Sequence, residues 1–241
     1  MHQREFAMRG QGDEMSRLKN AMEARHPEVL TVPVQCESVR TLESLKHGKL
    51  VSDKQFDQVF PEELQGLSHR HWTPLRVARR AANFLACSPS TKVLDIGSGP
   101  GKFCLIGAIT TQAHFFGVEQ RKSLTDIATA VASRHRVSRA TFINMNMADL
   151  DWTEFQSFYF YNPFQEQLDP TARIDDAFLY SLHLCEVYLE LVRTRLSMAP
   201  TGTRVAAFHG IGLGLEMPDG YELVSRQLQG TGYLELWIKP Q

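Results

Sequence analysis

Short apolar runs alternate with amphipathic segments from residue 75 to the end of the chain, which is the pattern of a sheet flanked by helices. Helices are predicted at Leu75–Ala86, from Phe103, at Ser123–Arg134 and at Arg173–Ser197. The strands are predicted at Lys92–Ile96, Ala113–Gln120, Arg139–Asn144, Phe155–Tyr161, Thr203–Phe208, Tyr221–Leu228 and Gly232–Lys239. Alternating strands and helices predict parallel βαβ units, whereas the last two strands, joined by a short turn, predict an antiparallel hairpin.

No strand pattern precedes Lys92, and this part of the chain indicates helices instead. One helix is predicted at Met15–Arg25, and two short ones within Asp53–Leu67, where Ser52 is suited to cap the first and Pro61 to open the second. We therefore expect a helical appendage over residues 1–70 and an α/β domain over residues 71–241.

The most distinctive stretch is KVLDIGSGPGK, residues 92–102, in which a buried strand is followed by three alternate glycines. Glycine lets bare backbone approach a ligand, because it has no Cβ and tolerates positive φ. A phosphate-binding P-loop is excluded, since its first glycine and its Ser or Thr would fall on Ile96 and Phe103. A dinucleotide fingerprint would place its third glycine on Lys102 or Cys104, and the small Cys104 keeps a dehydrogenase as an alternative.

The pattern D-x-G-x-G-x-G is met in full by Asp95, Gly97, Gly99 and Gly101. In this motif the chain resembles the class I S-adenosylmethionine-dependent methyltransferases. The resemblance implies that the glycine loop, including Ser98, binds the methionine part of the cofactor and that Asp95 holds its amino group. A carboxylate and bare backbone carbonyls suit a ligand that carries a sulfonium and an ammonium.

Further candidate cofactor residues follow the second and third strands. Glu119 ends the second strand, where an acidic side chain accepts hydrogen bonds from the ribose hydroxyls, and Gln120 follows it in the predicted site. The resemblance implies that Asn146 and Met147, after the third strand, contact the adenine. Asp149 takes the place of Asn146 if the register is shifted.

Asn162, Pro163 and Phe164 follow the aromatic fourth strand. In amino-methylating members of the family, an Asn side chain and a proline carbonyl at this point accept hydrogen bonds from the target amine, and an aromatic ring stacks on the substrate. The resemblance implies this catalytic role for the three residues, with Asn162 also beside the cofactor. The second proline of the four-residue motif is missing, which argues against planar bases and favours a protein or small-molecule nitrogen.

Three further residues are candidates for the site. Thr73 is predicted to cap the helix at Leu75–Ala86 and to lie near the cofactor or the substrate. His209, after the fifth strand, is a candidate general base, because histidine titrates near neutral pH. Glu166 is a candidate to bind a cationic acceptor or to receive a proton. The sequence leaves open whether His209 and Glu166 take part in catalysis.

Composition narrows the function less than the motifs do. The chain has 241 residues, of which 43% are hydrophobic and 22% charged, as expected of a globular protein. A formal net charge of −1 supplies no general basic field for nucleic acid. The four cysteines show no zinc-binding spacing, so no metal is expected. The polar N-terminus and the lack of a long apolar run predict a cytoplasmic protein without a membrane segment.

The prediction is a Rossmann-like, doubly wound, seven-stranded sheet that binds S-adenosylmethionine and transfers its methyl group to a nitrogen. A protein or small-molecule acceptor is favoured over nucleic acid. One alternative is an NAD(P)-dependent oxidoreductase, which leaves Asn162–Phe164 unexplained, and another is a non-catalytic cofactor-binding module. The acceptor itself and the oligomeric state are not predicted.

Overall fold

The structure is a computed structural model that describes residues 36–164, 166, 174, 181–212 and 214–241. The helix predicted at Met15–Arg25 lies outside the described residues, as do all but one of residues 173–180.

Seven strands of the described chain form one sheet. In chain order they are β1 (Lys92–Ile96), β2 (His114–Glu119), β3 (Ala140–Asn144), β4 (Ser157–Tyr161), β5 (Arg204–Phe208), β6 (Glu222–Gln229) and β7 (Gly232–Ile238). Their order across the sheet is β3-β2-β1-β4-β5-β7-β6. The pairs among β1 to β5 are parallel, whereas β7 runs antiparallel to both β5 and β6. The predicted sheet, mostly parallel with a C-terminal antiparallel hairpin, is confirmed.

Helices precede the sheet and connect its strands. They are α1 (Cys36–Lys46), α2 (Asp53–Asp57), α3 (Glu62–Gln65), α4 (Ser68–His71), α5 (Leu75–Leu85), α6 (Lys102–Thr110), α7 (Lys122–Arg134) and α8 (Leu182–Met198), with a 3₁₀ turn at Trp152–Glu154. The predicted N-terminal helical part is therefore present, and α8 begins later than the helix predicted from Arg173.

The N-terminal helices share a hydrophobic core with one face of the sheet. Phe56, Phe60 and Trp72 are buried in the same cluster as Phe103 of α6 and Tyr159 of β4. The rings of Phe60 and Trp72 lie 4.8 Å apart, and those of Phe103 and Tyr159 are stacked at 3.7 Å. Burial of several aromatic side chains at one junction favours the packing of these layers against each other.

The caps predicted for α2 and α5 have different outcomes. Ser52 caps α2 as predicted, through a capping box in which its side chain accepts from Gln55 N–H and the Gln55 side chain accepts from the Ser52 backbone. The predicted cap of α5 by Thr73 is wrong. The first N–H of that helix, at Leu75, donates instead to Asp53 Oδ1 at 2.8 Å, so the helix is capped from α2.

The strand order reverses between β1 and β4, whose neighbours β2 and β5 lie on opposite sides. Because crossovers from these two strands leave in opposite directions, a crevice opens beyond their carboxyl ends, where doubly wound sheets bind ligands. Among the described residues, no helix is both long and apolar enough to cross a membrane.

Candidate active site

A cleft lies beyond the carboxyl ends of β1, β2 and β4. Its walls come from the loop after β1, the ends of β2 and β3, the loop after β4 and the residues around α4. Twelve of the residues predicted from the sequence line it: Thr73, Asp95, Gly97, Ser98, Gly99, Glu119, Gln120, Asn146, Met147, Asn162, Pro163 and Phe164.

Gly101, which the motif assigns to the cofactor, does not line the cleft. It precedes α6 with φ of +90°, and a Cβ at this position would lie 2.4 Å from the ring of Phe142 in β3. A side chain is therefore excluded both by the backbone conformation and by the close approach of β3. The third glycine of the motif therefore allows the tight turn into α6 and packs against β3, outside the lining of the cleft.

The first part of the glycine loop faces open space. A Cβ added to Gly99 would meet no atom within 4 Å, and one added to Gly97 would lie 3.8 Å from Pro163 Cβ. Ser98 Oγ is buried and has no hydrogen-bond partner among the described residues. The loop thus offers bare backbone and an unused hydroxyl to a ligand, and it lies against the loop that follows β4.

Asp95 is the penultimate residue of β1 and lines this cleft with 4% of its surface exposed. Cys104 of α6 donates a weak S–H hydrogen bond to its Oδ2 at 3.5 Å. Burial raises the pKa of Asp95 from 3.8 to about 8, the thiol lowers it and the nearby Glu119 raises it. An ammonium group of a ligand would place a positive charge beside this carboxyl and so stabilise its ionised form. The position therefore suits the amino group of the cofactor.

Glu119 ends β2, buried beside the glycine loop. The Gly99 N–H donates to its Oε2 at 3.2 Å, and the Arg121 N–H donates to its Oε1 at 2.8 Å. Burial raises the pKa of Glu119, while these two hydrogen bonds and the Arg121 charge lower it. Each carboxylate oxygen has further lone-pair capacity, which is what two ribose hydroxyls require.

Asn146 and Met147 line the far side of the cleft with Tyr188 of α8. Asn146 Nδ2 donates to Tyr188 Oη at 2.6 Å, and its Oδ1 accepts from Ala148 N–H at 3.0 Å. Its amide is therefore already anchored within the protein, which leaves one acceptor lone pair for a ligand. Met147 is buried, and its carbonyl accepts from the indole N–H of Trp152 at 3.1 Å.

Thr73 is buried in the cleft wall. Its hydroxyl lies 2.9 Å from Tyr159 Oη, so it is bonded to β4 and does not cap α5. The sequence therefore placed Thr73 at the right cleft but assigned the wrong partner to its side chain.

Asn162 follows β4 with a positive φ of 39°, a conformation that is uncommon for residues other than glycine. Phe164 is buried, and its ring stacks on Tyr188 with centroids 5.7 Å apart. Gly212 lies so close that a Cβ there would be 2.9 Å from the Phe164 ring. Packing on both sides holds the turn after β4 in one place, and strained backbone held in this way is typical of functional sites.

Glu166 and His209, whose part in catalysis the sequence leaves open, lie in different places. Glu166 lines the cleft and accepts from Arg121 Nη2 at 2.6 Å. His209 does not line it: its ring packs in the space over Gly232, where a Cβ would be 2.3 Å away, and lies 5.8 Å from the Tyr161 ring. Burial lowers the pKa of His209. This packing favours a structural role for His209.

Several cleft residues were not foreseen. Arg70, His71 and Trp72 enter from the N-terminal helical part, and Arg121 and Tyr188 from the sheet domain. Burial, and then the charges of Arg70, Arg121 and His69, lower the pKa of His71 to about 4, so it is neutral at physiological pH. No spacing rule in the sequence ties His71 to the glycine loop. Within the described residues, no group of three or more His, Cys, Asp or Glu side chains could hold a metal ion.

Comparison with known proteins agrees with this geometry. Residues 88–168, from before β1 to just beyond Glu166, match a family model described as a methyltransferase domain. No curated protein sequence matches the chain.

Two solved structures share the fold. An RNA methyltransferase from Salinibacter ruber, solved with S-adenosyl-L-homocysteine, is 18% identical over 70% of this chain and 94% of its own, with a TM-score of 0.51. TrmN from Thermus thermophilus is 19% identical over 71% of this chain and 51% of its own, with a TM-score of 0.53.

The chain thus carries a methyltransferase domain at residues 88–168 on a Rossmann-like, seven-stranded sheet. The matched domain makes the protein an S-adenosylmethionine-dependent methyltransferase, with S-adenosylmethionine as its cofactor. The oxidoreductase and the non-catalytic module are therefore set aside.

Proposed function

We propose that this methyltransferase methylates a nitrogen of a protein or small-molecule acceptor and that Asn162, Pro163 and Phe164 position that nitrogen. The observation that carries the proposal is the placement of Asn162. Its backbone is held at positive φ at the carboxyl end of β4, in the same cleft as the glycine loop and Glu119. Amide and carbonyl oxygens at this point accept N–H hydrogen bonds and so orient a nitrogen lone pair.

The cofactor side of the proposal assigns each part of S-adenosylmethionine to the residues that fit it. Asp95 and the bare loop at Gly97–Gly99 would hold the methionine part, and Glu119 with Gln120 the ribose. Asn146, through its remaining lone pair, and Met147 would contact the adenine. The cofactor supplies a methyl group that is already electrophilic, so the protein has mainly to align donor and acceptor and to exclude water.

The apolar walls of the cleft support the exclusion of water. Phe164 and Met147 are buried beside the glycine loop, and Tyr161 lies between Asn162 and the N-terminal helices. The Tyr161 hydroxyl donates to the Arg70 carbonyl at 3.1 Å, which joins the acceptor side of the cleft to α4. The acceptor nitrogen would approach between these two walls.

Substitution of Asn162 tests the proposal, with two variants that separate its side chain from its backbone. Labelled S-adenosylmethionine would be offered to three fractions of a cell extract: protein, RNA, and molecules below about 3 kDa. We expect label in the protein or small-molecule fraction, on nitrogen. Asn162→Ala and Asn162→Gly should each lower turnover by about 100-fold or more, because both lack the amide oxygen.

The glycine variant is the control for backbone strain. Glycine adopts positive φ freely, so Asn162→Gly keeps the turn while it removes the amide. Affinity for S-adenosylhomocysteine should stay within about threefold in both variants. Full turnover in Asn162→Gly, or label on oxygen or carbon, would refute the proposed role of Asn162.

RNA is the second acceptor class to be tested. It is suggested by the Salinibacter ruber protein of the same fold, which is described as an RNA methyltransferase. The formal net charge of −1 and the missing second proline argue against RNA here. Label confined to the RNA fraction would decide in its favour.

A further inference from the structure

Arg121 lies between two carboxylates that belong to different parts of the cleft. Its side chain is 6% exposed, as is that of Glu119, and the side chain of Glu166 is 21% exposed. Glu119 ends β2 on the cofactor side. Glu166 follows Asn162 by four residues on the acceptor side. A single guanidinium therefore faces both halves of the proposed site.

The contacts of Arg121 are specific on both sides. Its backbone N–H donates to Glu119 Oε1 at 2.8 Å, and its Nη1 lies 3.8 Å from the same oxygen. Its Nη2 donates to Glu166 Oε2 at 2.6 Å. The same Glu166 oxygen accepts from the Ile174 N–H at 3.2 Å, so the pair also holds a second point of the segment after β4.

The charges of Glu119, Arg121 and Glu166 influence one another. Two carboxylates that face one another in a cleft raise each other's proton affinity, and a guanidinium between them opposes that effect. Arginine suits this place because one arm of its planar fork donates to Glu166 while the other lies within ion-pair distance of Glu119, a geometry that a lysine ammonium does not reproduce. Loss of Glu166 would remove one partner of the Arg121 fork, and loss of Arg121 would remove a positive charge that lies beside both carboxylates.

We propose that Arg121 is a positioning residue that couples the cofactor carboxylate Glu119 to the acceptor-side loop through Glu166. The inference rests on the proposed role of Glu119 in ribose binding. The guanidinium of Arg121 lies within ion-pair distance of Glu119 on one side and holds Glu166, which follows Asn162 in the chain, on the other. Cofactor binding and the placement of Asn162 thus depend on one side chain that contacts neither reacting atom.

Calorimetric titration with S-adenosylhomocysteine tests the coupling without knowledge of the acceptor. The variants are Arg121→Met, Glu166→Gln and the double substitution, with Arg121→Lys as the conservative replacement. We expect Arg121→Met to weaken binding by about 30-fold and Glu166→Gln by about fivefold. The double variant should match Arg121→Met within twofold, because Glu166 acts through Arg121. Arg121→Lys should recover only part of the loss.

Two controls accompany the titrations. Lys122→Met removes a neighbouring cation that is 72% exposed and pairs with Asp126 along its own helix, so binding should stay within twofold. Glu119→Gln should weaken binding by about tenfold or more. Circular dichroism of each variant without ligand verifies that the fold is kept.

The results distinguish the bridge, which is the proposed link from Glu119 through Arg121 to Glu166, from the cofactor-binding role of Glu119 on which it rests. Additive losses in the double variant would show that Glu166 acts independently, and unchanged affinity in Arg121→Met beside a weakened Glu119→Gln would show that the bridge has no effect. Either outcome overturns the bridge alone. Unchanged affinity in Glu119→Gln would overturn the cofactor role of Glu119 and the bridge together, whatever the acceptor proves to be.

Discussion

The pKa of Asp95, a buried carboxyl of the cleft, is strongly raised, and this affects both stability and cofactor binding. Burial is the main reason that its pKa is raised to about 8, so in the cofactor-free protein it is mostly protonated at pH 7. The folded state then binds a proton that the unfolded chain, with a pKa near 3.8, has released. The Asp95 contribution to stability therefore falls as pH rises from about 3.8 to about 8 and is constant above that range.

Cofactor binding should reverse this protonation. A cofactor ammonium beside Asp95 favours the carboxylate, so binding below pH 8 releases a proton. We expect the dissociation constant for S-adenosylhomocysteine to fall as pH rises from 6 to 8, by at most tenfold per unit. Calorimetry in two buffers with different ionisation enthalpies would measure the proton released.

Asp95→Asn is the matched variant for this prediction. It has a similar shape and cannot ionise, so its affinity for S-adenosylhomocysteine should be lower than that of the wild type at pH 8 and nearly independent of pH. A wild-type affinity that does not change between pH 6 and 8 would contradict the link between Asp95 and the ammonium.

At the scale of residues, the sequence predicted which side chains line the cleft better than it predicted the hydrogen bonds that those side chains make. Asp95, Glu119 and Asn162 line one cleft, as their positions at strand ends imply. The bond of Thr73 to Tyr159 joins residues 86 positions apart, and that of Asn146 to Tyr188 joins residues 42 apart. Such pairings depend on how helices dock against the sheet, which local patterns do not encode.

At the scale of elements, α2 is attached to α6 by an ion cluster around the buried Lys102, in which Asp57 is buried and Asp53 is partly exposed. Lys102 Nζ lies 2.6 Å from Asp53 Oδ1 and 2.7 Å from Asp57 Oδ1, and its side chain is 3% exposed. Asp53 also caps α5 through the Leu75 N–H, and Asp57 accepts from the Ser68 hydroxyl. Lys102, which follows the third glycine of the motif, is thus paired with carboxylates of the N-terminal helices.

Removal of Lys102 should loosen this attachment. Lys102→Met leaves two carboxylates without their cation, and breaking a buried pair from one side costs about 3 kcal/mol. Urea unfolding should show that loss in the free energy of unfolding, together with weaker S-adenosylhomocysteine binding, because Trp72 and Lys102 both line the cleft.

The control for Lys102 lies on α2 itself. Lys54 is exposed, so Lys54→Met should change the free energy of unfolding by less than about 0.5 kcal/mol. A triple variant, Lys102→Met with Asp53→Asn and Asp57→Asn, should recover part of the loss, since no charge is then left unpaired. Equal stability of Lys102→Met and the wild type would refute the attachment.

At the scale of the whole molecule, the N-terminal helices and the sheet form one structural unit around the cleft. Phe56 and Phe60 are buried with Phe103, and Leu67, Arg70 and His71 line the cleft directly. A fragment of residues 71–241 would expose this aromatic surface to water, at a cost of about 25 cal/mol for each Å² of apolar area.

We therefore expect the fragment 71–241 to lose both stability and binding. Its thermal unfolding, followed by circular dichroism, should lack the cooperative transition of the full chain, and calorimetry should detect no binding of S-adenosylhomocysteine. A fragment that unfolds cooperatively and binds with the affinity of the full chain would show that residues 1–70 are a separable appendage.

The sequence by itself determined the order of strands and helices from β1 to β7, the glycine loop and the acidic strand ends. These are local properties, because alternation, glycine spacing and strand termination are written in adjacent residues. The tertiary structure alone decided that Gly101 turns away from the cleft, that Asp53 caps α5 and that Arg121 meets Glu166. The last two contacts join residues 22 and 45 positions apart, so they form only when the chain has folded.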